Sequence, residues 1–328
     1  MIDFACYILY NDRKNEGRRV MTYHIALDSG GSKTESVLFS SDGCVLAKDR
    51  RAGANPMDIG LETAYGRYIG AVDALLAHLP EGEKISSLFG CVAGCDPFPQ
   101  IREGIRERIG GAPTVLGSDT LSILSAMIGK EDGVCLISGT GSACQYRRDG
   151  EIVNRIGGYG YLLDTGGSGY VLGRSAIMAT LRAQDGRGTH GILTRMVEEI
   201  TGPSIRAHMP VIYEKGRPYI ATFAPLVFKA RRQGDPEAIR IFEKNTDYYA
   251  EALEAMYRFA GKPFKVVCGG SVFQKALEYC DSLKEKAPAG CEIIRLDKPV
   301  VYGAALNALW LIGLEAEVGF EENFLKTY

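Results

Sequence analysis

Apolar and polar positions along this chain switch between a strand-like and a helix-like period, and the switches mark its elements. Short apolar runs at Tyr23–Leu27, Thr34–Phe39 and Cys44–Lys48 are separated by turns at Asp28–Lys33 and Ser41-Asp42-Gly43. They predict a strand meander. Beyond Gly53-Ala54-Asn55-Pro56 the period lengthens: Ile69, Val72, Leu75, Leu76 and Leu79 predict a helix from about Gly60 to His78. A strand over Ile85–Ala93, a helix over Ile101–Ile109 and a strand over Pro113–Leu116 complete a mixed-sheet α/β pattern.

The pattern then starts again. A helix over Ser122–Ile128 leads into an apolar strand at Gly133–Ser138, a small-residue turn and a returning strand at Ala143–Tyr146. Helical patterns follow at Ile192–Ile200, Ile220–Gln233 and Pro236–Ala260, with a turn at Glu214–Ile220 between them. Phe264–Cys268 reads as a buried strand, Cys291–Leu296 as another, and Tyr302–Leu314 as a final helix that takes the only tryptophan, Trp310, into the core. The tail after Leu314 reads equally as a docked helix or a frayed end.

Length and composition change this picture little. A chain of 328 residues suits two domains, and a formal net charge of −2 gives no reason to expect nucleic acid or an anionic membrane as partner. No apolar run is long enough to cross a bilayer. The nine scattered cysteines lack zinc spacing, even at Cys91 and Cys95, and read as reduced thiols in a cytoplasm. The first twenty residues make a poor signal peptide, and the expectation is a native start at Met21 with residues 1–20 a misassigned extension.

The candidate chemistry lies in two turns of one design. In Leu27-Asp28-Ser29-Gly30-Gly31-Ser32-Lys33-Thr34 and in Ile137-Ser138-Gly139-Thr140-Gly141-Ser142, an apolar strand enters a turn flanked by hydroxyls. Glycines there permit positive φ and let backbone N–H groups converge, which suits phosphate oxygens. One such turn is most simply a hairpin; two, one per half, fit a nucleotide held between domains. Neither is a GxxxxGK[ST] loop nor GxGxxG. Asp28 beside a polyphosphate calls for Mg²⁺ between them, or else simply forms the turn. Asp119 reads by residue type first as a helix N-cap, and second as a base for a hydroxyl nucleophile.

Taken in order, ALDSGGSKTES, GANP, VLGSDTLSIL, LISGTGSAC, GGYGYLLDTGGSGYVLG, CGGSVF and VYGAALNAL resemble the N-acetylglucosamine kinase-like branch of the BadF/BadG/BcrA/BcrD ATPase family. The resemblance spans Tyr23 to about Leu314. It implies two actin-like (ribonuclease H-like) α/β domains with mixed sheets around an ATP-binding cleft. The first would cover 21–118, joined by a C-terminal helix at about 306–328, and the second 119–305. By resemblance, Gly30, Gly31, Ser32, Lys33 and Thr34 form the first phosphate loop and Gly139, Thr140, Gly141 and Ser142 the second, with Asp28 turned toward Mg²⁺. Gly269 and Gly270 match the adenosine motif, and Gly303-Ala304-Ala305 a small-residue contact between domains. Asn55, Gly157, Gly158 and Tyr159 match sugar-binding positions, and Asp119 the catalytic base. The implied activity is ATP-dependent phosphorylation of an amino sugar, N-acetylglucosamine at its 6-hydroxyl first. A homodimer is compatible with it.

The departures fall on the sugar side. Where the family usually reads LLGDEGSG, this chain reads LLDTGGSG at Leu162–Gly169, so Thr165 replaces the sugar-contacting acid and Asp164 lies one place away. N-acetylmuramic acid, glucosamine and other hexoses therefore stay open as acceptors. So do two readings of other kinds. One is an ATPase activator of a 2-hydroxyacyl-CoA dehydratase or benzoyl-CoA reductase, which needs iron–sulfur cysteines. The other is a non-catalytic sugar sensor.

Overall fold

A computed structural model describes residues 21–328 apart from Ser32, Ala93, Asp96 and Thr165. The predicted extension at residues 1–20, the phosphate contact at Ser32 and the sugar position at Thr165 lie outside the described residues. The chain divides into two units: one runs to Lys130 and resumes over Lys298–Tyr328, the other is Glu131–Asp297.

The first unit is built on β1 (Tyr23–Ser29), β2 (Lys33–Ser40), β3 (Val45–Ala52), β4 (Ile85–Val92) and β5 (Thr114–Gly117), in the order β3-β2-β1-β4-β5. β1 and β2 are antiparallel across the glycine turn, whereas β1, β4 and β5 are parallel. The inner strands β1 and β4 are buried on both faces, as crossover helices require, while β3 alternates as an edge strand does and β5 at the other edge is half-buried. Those crossovers are α1 (Pro56–Ile59) with α2 (Leu61–Leu76), and α3 (Pro99–Arg108). Ala64, Tyr68, Val72 and Leu75 of α2 pack with Ile25, Leu27, Leu38 and Leu88.

Also within this unit are α4 (Asp119–Ile128), α12 (Val300–Trp310) and α13 (Phe320–Thr327), the elements between them belonging to the second unit. Gly303 lets α12 lie on α4, because a Cβ there would stand 1.8 Å from the Ser122 carbonyl oxygen. The tail is a docked helix: Phe320 and Phe324 of α13 meet Phe39 edge-on at 6.1 and 6.0 Å. Trp310, expected in the core, is only half-buried at the end of α12, where its Nε1 donates to Glu315 at 3.2 Å. A helix terminus places the ring at the rim.

The second unit repeats the plan. Strands β6 (Gly133–Ser138), β7 (Ser142–Arg148), β8 (Glu151–Gly157), β9 (Lys265–Gly269) and β10 (Glu292–Arg295) form a sheet ordered β10-β9-β6-β7-β8. Helices α5 (Gly169–Gln184), α6 (Ile192–Thr201), α7 (Ile205–Ala221), α8 (Ala224–Arg232), α9 (Pro236–Ala260), α10 (Ser271–Lys275) and α11 (Leu277–Lys286) surround it. The turn predicted at Glu214–Ile220 is part of α7, but Gly216 breaks that helix with φ 59° and ψ −149° just before Pro218. Among the described residues no helix is long and apolar enough to cross a membrane.

Candidate active site

The two glycine turns occupy equivalent places, between the first and second strands of each sheet. In the first, Asp28 is the penultimate residue of β1, paired with Glu35 on one side and Cys91 on the other. Burial pushes its carboxyl up to about 7; Lys33 opposes this, while the charges of Asp119 and Glu35 add to it. Asp28 and Asp119 therefore sense one another within this unit. Lys33 is ion-paired with the buried Glu35, whose carboxyl is also approached by Lys48 at 3.8 Å. Burial opposes the charge on Glu35, but these cations more than offset it and hold the carboxyl below its usual range.

Asp119 is not the N-cap of α4. Ser118 takes that place with extended backbone (φ −69°, ψ 145°), and its Oγ accepts from Thr120 N–H. Asp119 is the first helical residue; its Oδ1 accepts from Thr120 N–H at 3.0 Å and from the Ser118 hydroxyl at 3.2 Å. Two donors on one oxygen fix the plane of the carboxylate, and the helix N-terminus favours negative charge there. Asn55 caps α1 instead: its Oδ1 accepts from Met57 N–H at 2.9 Å, leaving Nδ2 as the donor of its amide.

The second turn has no acid. Gly139 N–H donates to Gly141 O at 2.9 Å and closes the turn, as Gly30 N–H does with Lys33 O at 3.0 Å in the first. The Gly30 and Gly139 N–H groups are therefore spent within their own turns, which leaves Gly31 in the first and Thr140 and Gly141 in the second as candidate donors toward a ligand. Space is present for one: Cβ atoms at Gly30, Gly139 and Gly141 would meet nothing within 4 Å. The expected hydroxyl contacts divide. Thr34 and Ser142 are buried with their hydroxyls turned inward, Ser142 onto Gly166 O at 2.8 Å and Thr34 onto Ser29 at 2.8 Å, whereas Thr140 stays half-exposed.

Gly269 lies beside Ile137 in the sheet, and Gly270 follows it at φ +95°. A Cβ on Gly270 would stand 2.4 Å from Ser138 O, so the glycine is demanded by the backbone of β6. Gly157 and Gly158 turn left-handed at φ +70° and +73°, their carbonyls accepting from Arg155. Tyr159 follows with its ring 66% exposed. Asp164 folds back, its Oδ2 accepting from Gly160 N–H at 3.0 Å, so this carboxylate shapes its own loop.

ATP and Mg²⁺ fit the residues present. The open space beside the turns suits phosphate oxygens, and Asp28 is a hard oxygen donor that burial leaves in need of a cation. Among the described residues no group of three or more His, Cys, Asp or Glu is placed for a metal. Mg²⁺ commonly uses one or two carboxylates with phosphate and water, and Asp28 could serve so.

Sequence reasoning missed Tyr68, Asn245, Tyr248 and Tyr249, which hold these turns. The available signal was polar: tyrosines on the inner face of an amphipathic helix need partners for their hydroxyls.

The chain is similar in sequence and in fold to known proteins. The N-acetylmuramic acid/N-acetylglucosamine kinase of Clostridium acetobutylicum is 29% identical over 233 residues, 68% of this chain and 76% of that protein. The N-acetyl-D-glucosamine kinase of Dictyostelium discoideum is 24% identical over 311 residues, 87% of this chain and 97% of that protein. The crystal structure of a proposed N-acetylglucosamine kinase from Chromobacterium violaceum shares the fold, with a TM-score of 0.70 at 24% identity over 89% of this chain and 99% of that one. A family match runs through residues 25–308, both glycine turns included, and the chain belongs to the BadF/BadG/BcrA/BcrD ATPase family.

Proposed function

We propose that this protein is an ATP-dependent amino-sugar kinase of the cytoplasm, with N-acetylglucosamine as acceptor at its 6-hydroxyl. The observation that carries the reading is the pairing of two carboxylates beside one phosphate turn: Asp28 at the strand end and Asp119 at the start of α4, close enough for their charges to interact. The two kinases named above act on N-acetylated amino sugars by name, which favours an N-acetyl acceptor, while a glucosamine kinase of Vibrio cholerae, 27% identical over 231 residues, keeps the free amino sugar open.

ATP with Mg²⁺ supplies the transferable phosphoryl group and compensates its charge. Asp28 holds the cation. Gly31, Thr140 and Gly141 N–H groups and the Thr140 hydroxyl bind phosphate oxygens. Asp119, its carboxylate plane fixed by Ser118 and Thr120, orients the acceptor hydroxyl and accepts its proton during in-line attack. Asn55 Nδ2 donates to the sugar, and the exposed Tyr159 ring offers it an apolar face.

N-acetylmuramic acid is a second reading, because the Clostridium relative carries both sugars in its name. The activator reading loses ground because Cys91, Cys95, Cys135 and Cys144 are all buried, with Cys91 Sγ donating to Ser122 at 2.9 Å. The test is ADP release across N-acetylglucosamine, N-acetylmuramic acid, glucosamine, N-acetylmannosamine and glucose. Turnover is expected with an N-acetylated sugar, and a flat panel overturns the kinase reading.

A further inference from the structure

Each glycine turn is tied by buried hydroxyls to the segment that leads to the proposed acceptor contacts, and each unit does this with one helix tyrosine. We propose that Tyr68 and Tyr249 are a matched pair of positioning residues, which lock the phosphate turns to those segments. The proposal rests on the ATP-binding reading above.

In the first unit the donors form a directed chain. Tyr68 OH donates to Ala54 O at 2.7 Å, so its single proton is committed. Ser29 must then donate to Tyr68, at 3.0 Å, and Thr34 to Ser29, at 2.8 Å. Ser29 and Thr34 flank the turn as a cross-strand pair, and Ala54 N–H returns to the turn carbonyl of Gly30 at 3.2 Å. Contact is so close that a Cβ on Gly53 would lie 2.3 Å from Gly31 carbonyl atoms. Asn55 is the next residue but one.

The second unit reaches the same result with different residues. Ser138 and Ser142 flank the turn as a cross-strand pair; their hydroxyls donate to Gly167 O at 2.5 Å and Gly166 O at 2.8 Å. Tyr249 OH lies 2.9 Å from both Ile137 O and Gly167 O, joining β6 to the loop with its one proton. Asn245 Oδ1 accepts from Gly167 N–H at 2.9 Å, and Gly169 N–H donates to the turn carbonyl of Gly139 at 2.7 Å. Gly166 and Gly167 admit no side chain, because Cβ atoms there would stand 2.5 and 2.4 Å from the Tyr248 and Tyr249 rings.

Tyr68 and Tyr249 are both fully buried. A buried hydrogen-bonded hydroxyl adds only about 1 kcal/mol of net stability, although its removal leaves its buried partners unpaired at about 1–3 kcal/mol. What these hydroxyls add is direction: a shift of the segment at Ala54 or at Gly167 must move the turn bound to it. Acceptor position and phosphate position are thereby coupled in each unit separately.

The experiment compares Tyr68→Phe and Tyr249→Phe with Tyr146→Phe and Tyr279→Phe. The last two remove buried hydroxyls that have no hydrogen-bond partner among the described residues. Affinity for a fluorescent N-methylanthraniloyl ATP analogue is measured for all, together with kcat and KM for N-acetylglucosamine and thermal midpoints. The brace variants should bind the analogue about tenfold more weakly and show lower kcat, as loss of one aligned hydrogen bond allows, while the controls match the parent. Brace variants that bind as tightly as the controls overturn the proposal. A parent that binds no nucleotide overturns both the ATP reading and the proposal. A parent that binds nucleotide but phosphorylates no sugar overturns the kinase reading alone, and the affinity comparison still decides the braces.

Discussion

The two units carry the same sheet, β3-β2-β1-β4-β5 and β8-β7-β6-β9-β10, yet differ at one position beside the turn. Asp28, the penultimate residue of β1, stands two residues before the first turn's Gly30, and Ile137 stands in its place before Gly139. Their parallel neighbours differ too: Cys91 sits beside Asp28, and Gly269 beside Ile137. Backbone donors and hydroxyl braces are thus properties of the repeated scaffold and occur twice. The acids occur once, with Asp28 and Asp119 both in the first unit. In the proposed reading a glycine turn alone would mark a place where phosphate can sit, and the carboxylates would mark the side on which it reacts.

If chemistry is one-sided, the largest effect belongs to Asp119. Asp119→Ala should lower kcat about 10³-fold, within the usual range for a general base, while the fluorescent ATP analogue binds as in the parent. Equal loss of binding would mean that Asp119 shapes the site instead of acting in it.

If the scaffold is two-sided, a methyl group at either backbone contact should do similar harm. Gly53→Ala and Gly270→Ala each place a Cβ within 2.3 and 2.4 Å of backbone in the neighbouring turn, and Gly270 also has φ +95°. Each should cost about 3 kcal/mol of stability by urea titration. A benign substitution in one unit only would break the symmetry.

Acid should separate the units. His24 in β1 is buried between Ser87 and Thr22, its ring nitrogens 2.8 Å from each hydroxyl, and burial pushes its pKa down to about 3. The second unit has Gly133 at the matching position. The unfolded chain binds the His24 proton near pH 6.5 and the folded chain near 3, so stability present above 6.5 is lost as pH falls toward 3. By pH 4.5 the His24 contribution to this loss should reach about 2.5 kcal/mol, while Asp28, raised to about 7, gains stability over the same range and works against it. The His24 share is read as a difference: His24→Gln should be more stable at pH 4.5 relative to pH 7 than the parent is, by urea titration, with hydrogen exchange at Tyr23–Leu27 slowed relative to the parent at the acid end.

The smallest effect belongs to a device found in the second unit. Asp235 is buried and caps two helices, Oδ1 accepting from Ala238 N–H at 2.9 Å and Oδ2 from Leu193 N–H at 3.0 Å. Asp235→Ala should cost about 2 kcal/mol, read as a lower urea midpoint with nucleotide affinity unchanged.

How much of this was legible follows the strength of local pattern. Helix α9 was bounded correctly at Pro236–Ala260, since it is long, amphipathic and opened by an aspartate cap. The buried strands β6 and β9 were clear as apolar runs. Edge strand β8 was missed because its burial alternates without a fully apolar face. Helix α5 was missed because its glycines look like turn chemistry. In fact Gly173 is a close-approach residue, where a Cβ would lie 2.0 Å from Ile220 O. At the site, the turns and both acids were legible from residue order. The inward commitment of Ser142 and, through Ser29, of Thr34 was not, because it depends on partners as remote as Gly166 and Tyr68, and the fold-back of Asp164 onto Gly160 depends on a loop conformation that residue order does not fix.

Phosphorus NMR of the parent incubated with ATP, Mg²⁺ and N-acetylglucosamine tests the central claim most directly. The account predicts a sugar 6-phosphate signal that grows in step with ADP and is absent with Asp119→Ala. ADP accumulating with inorganic phosphate, at one rate with or without sugar, would contradict it.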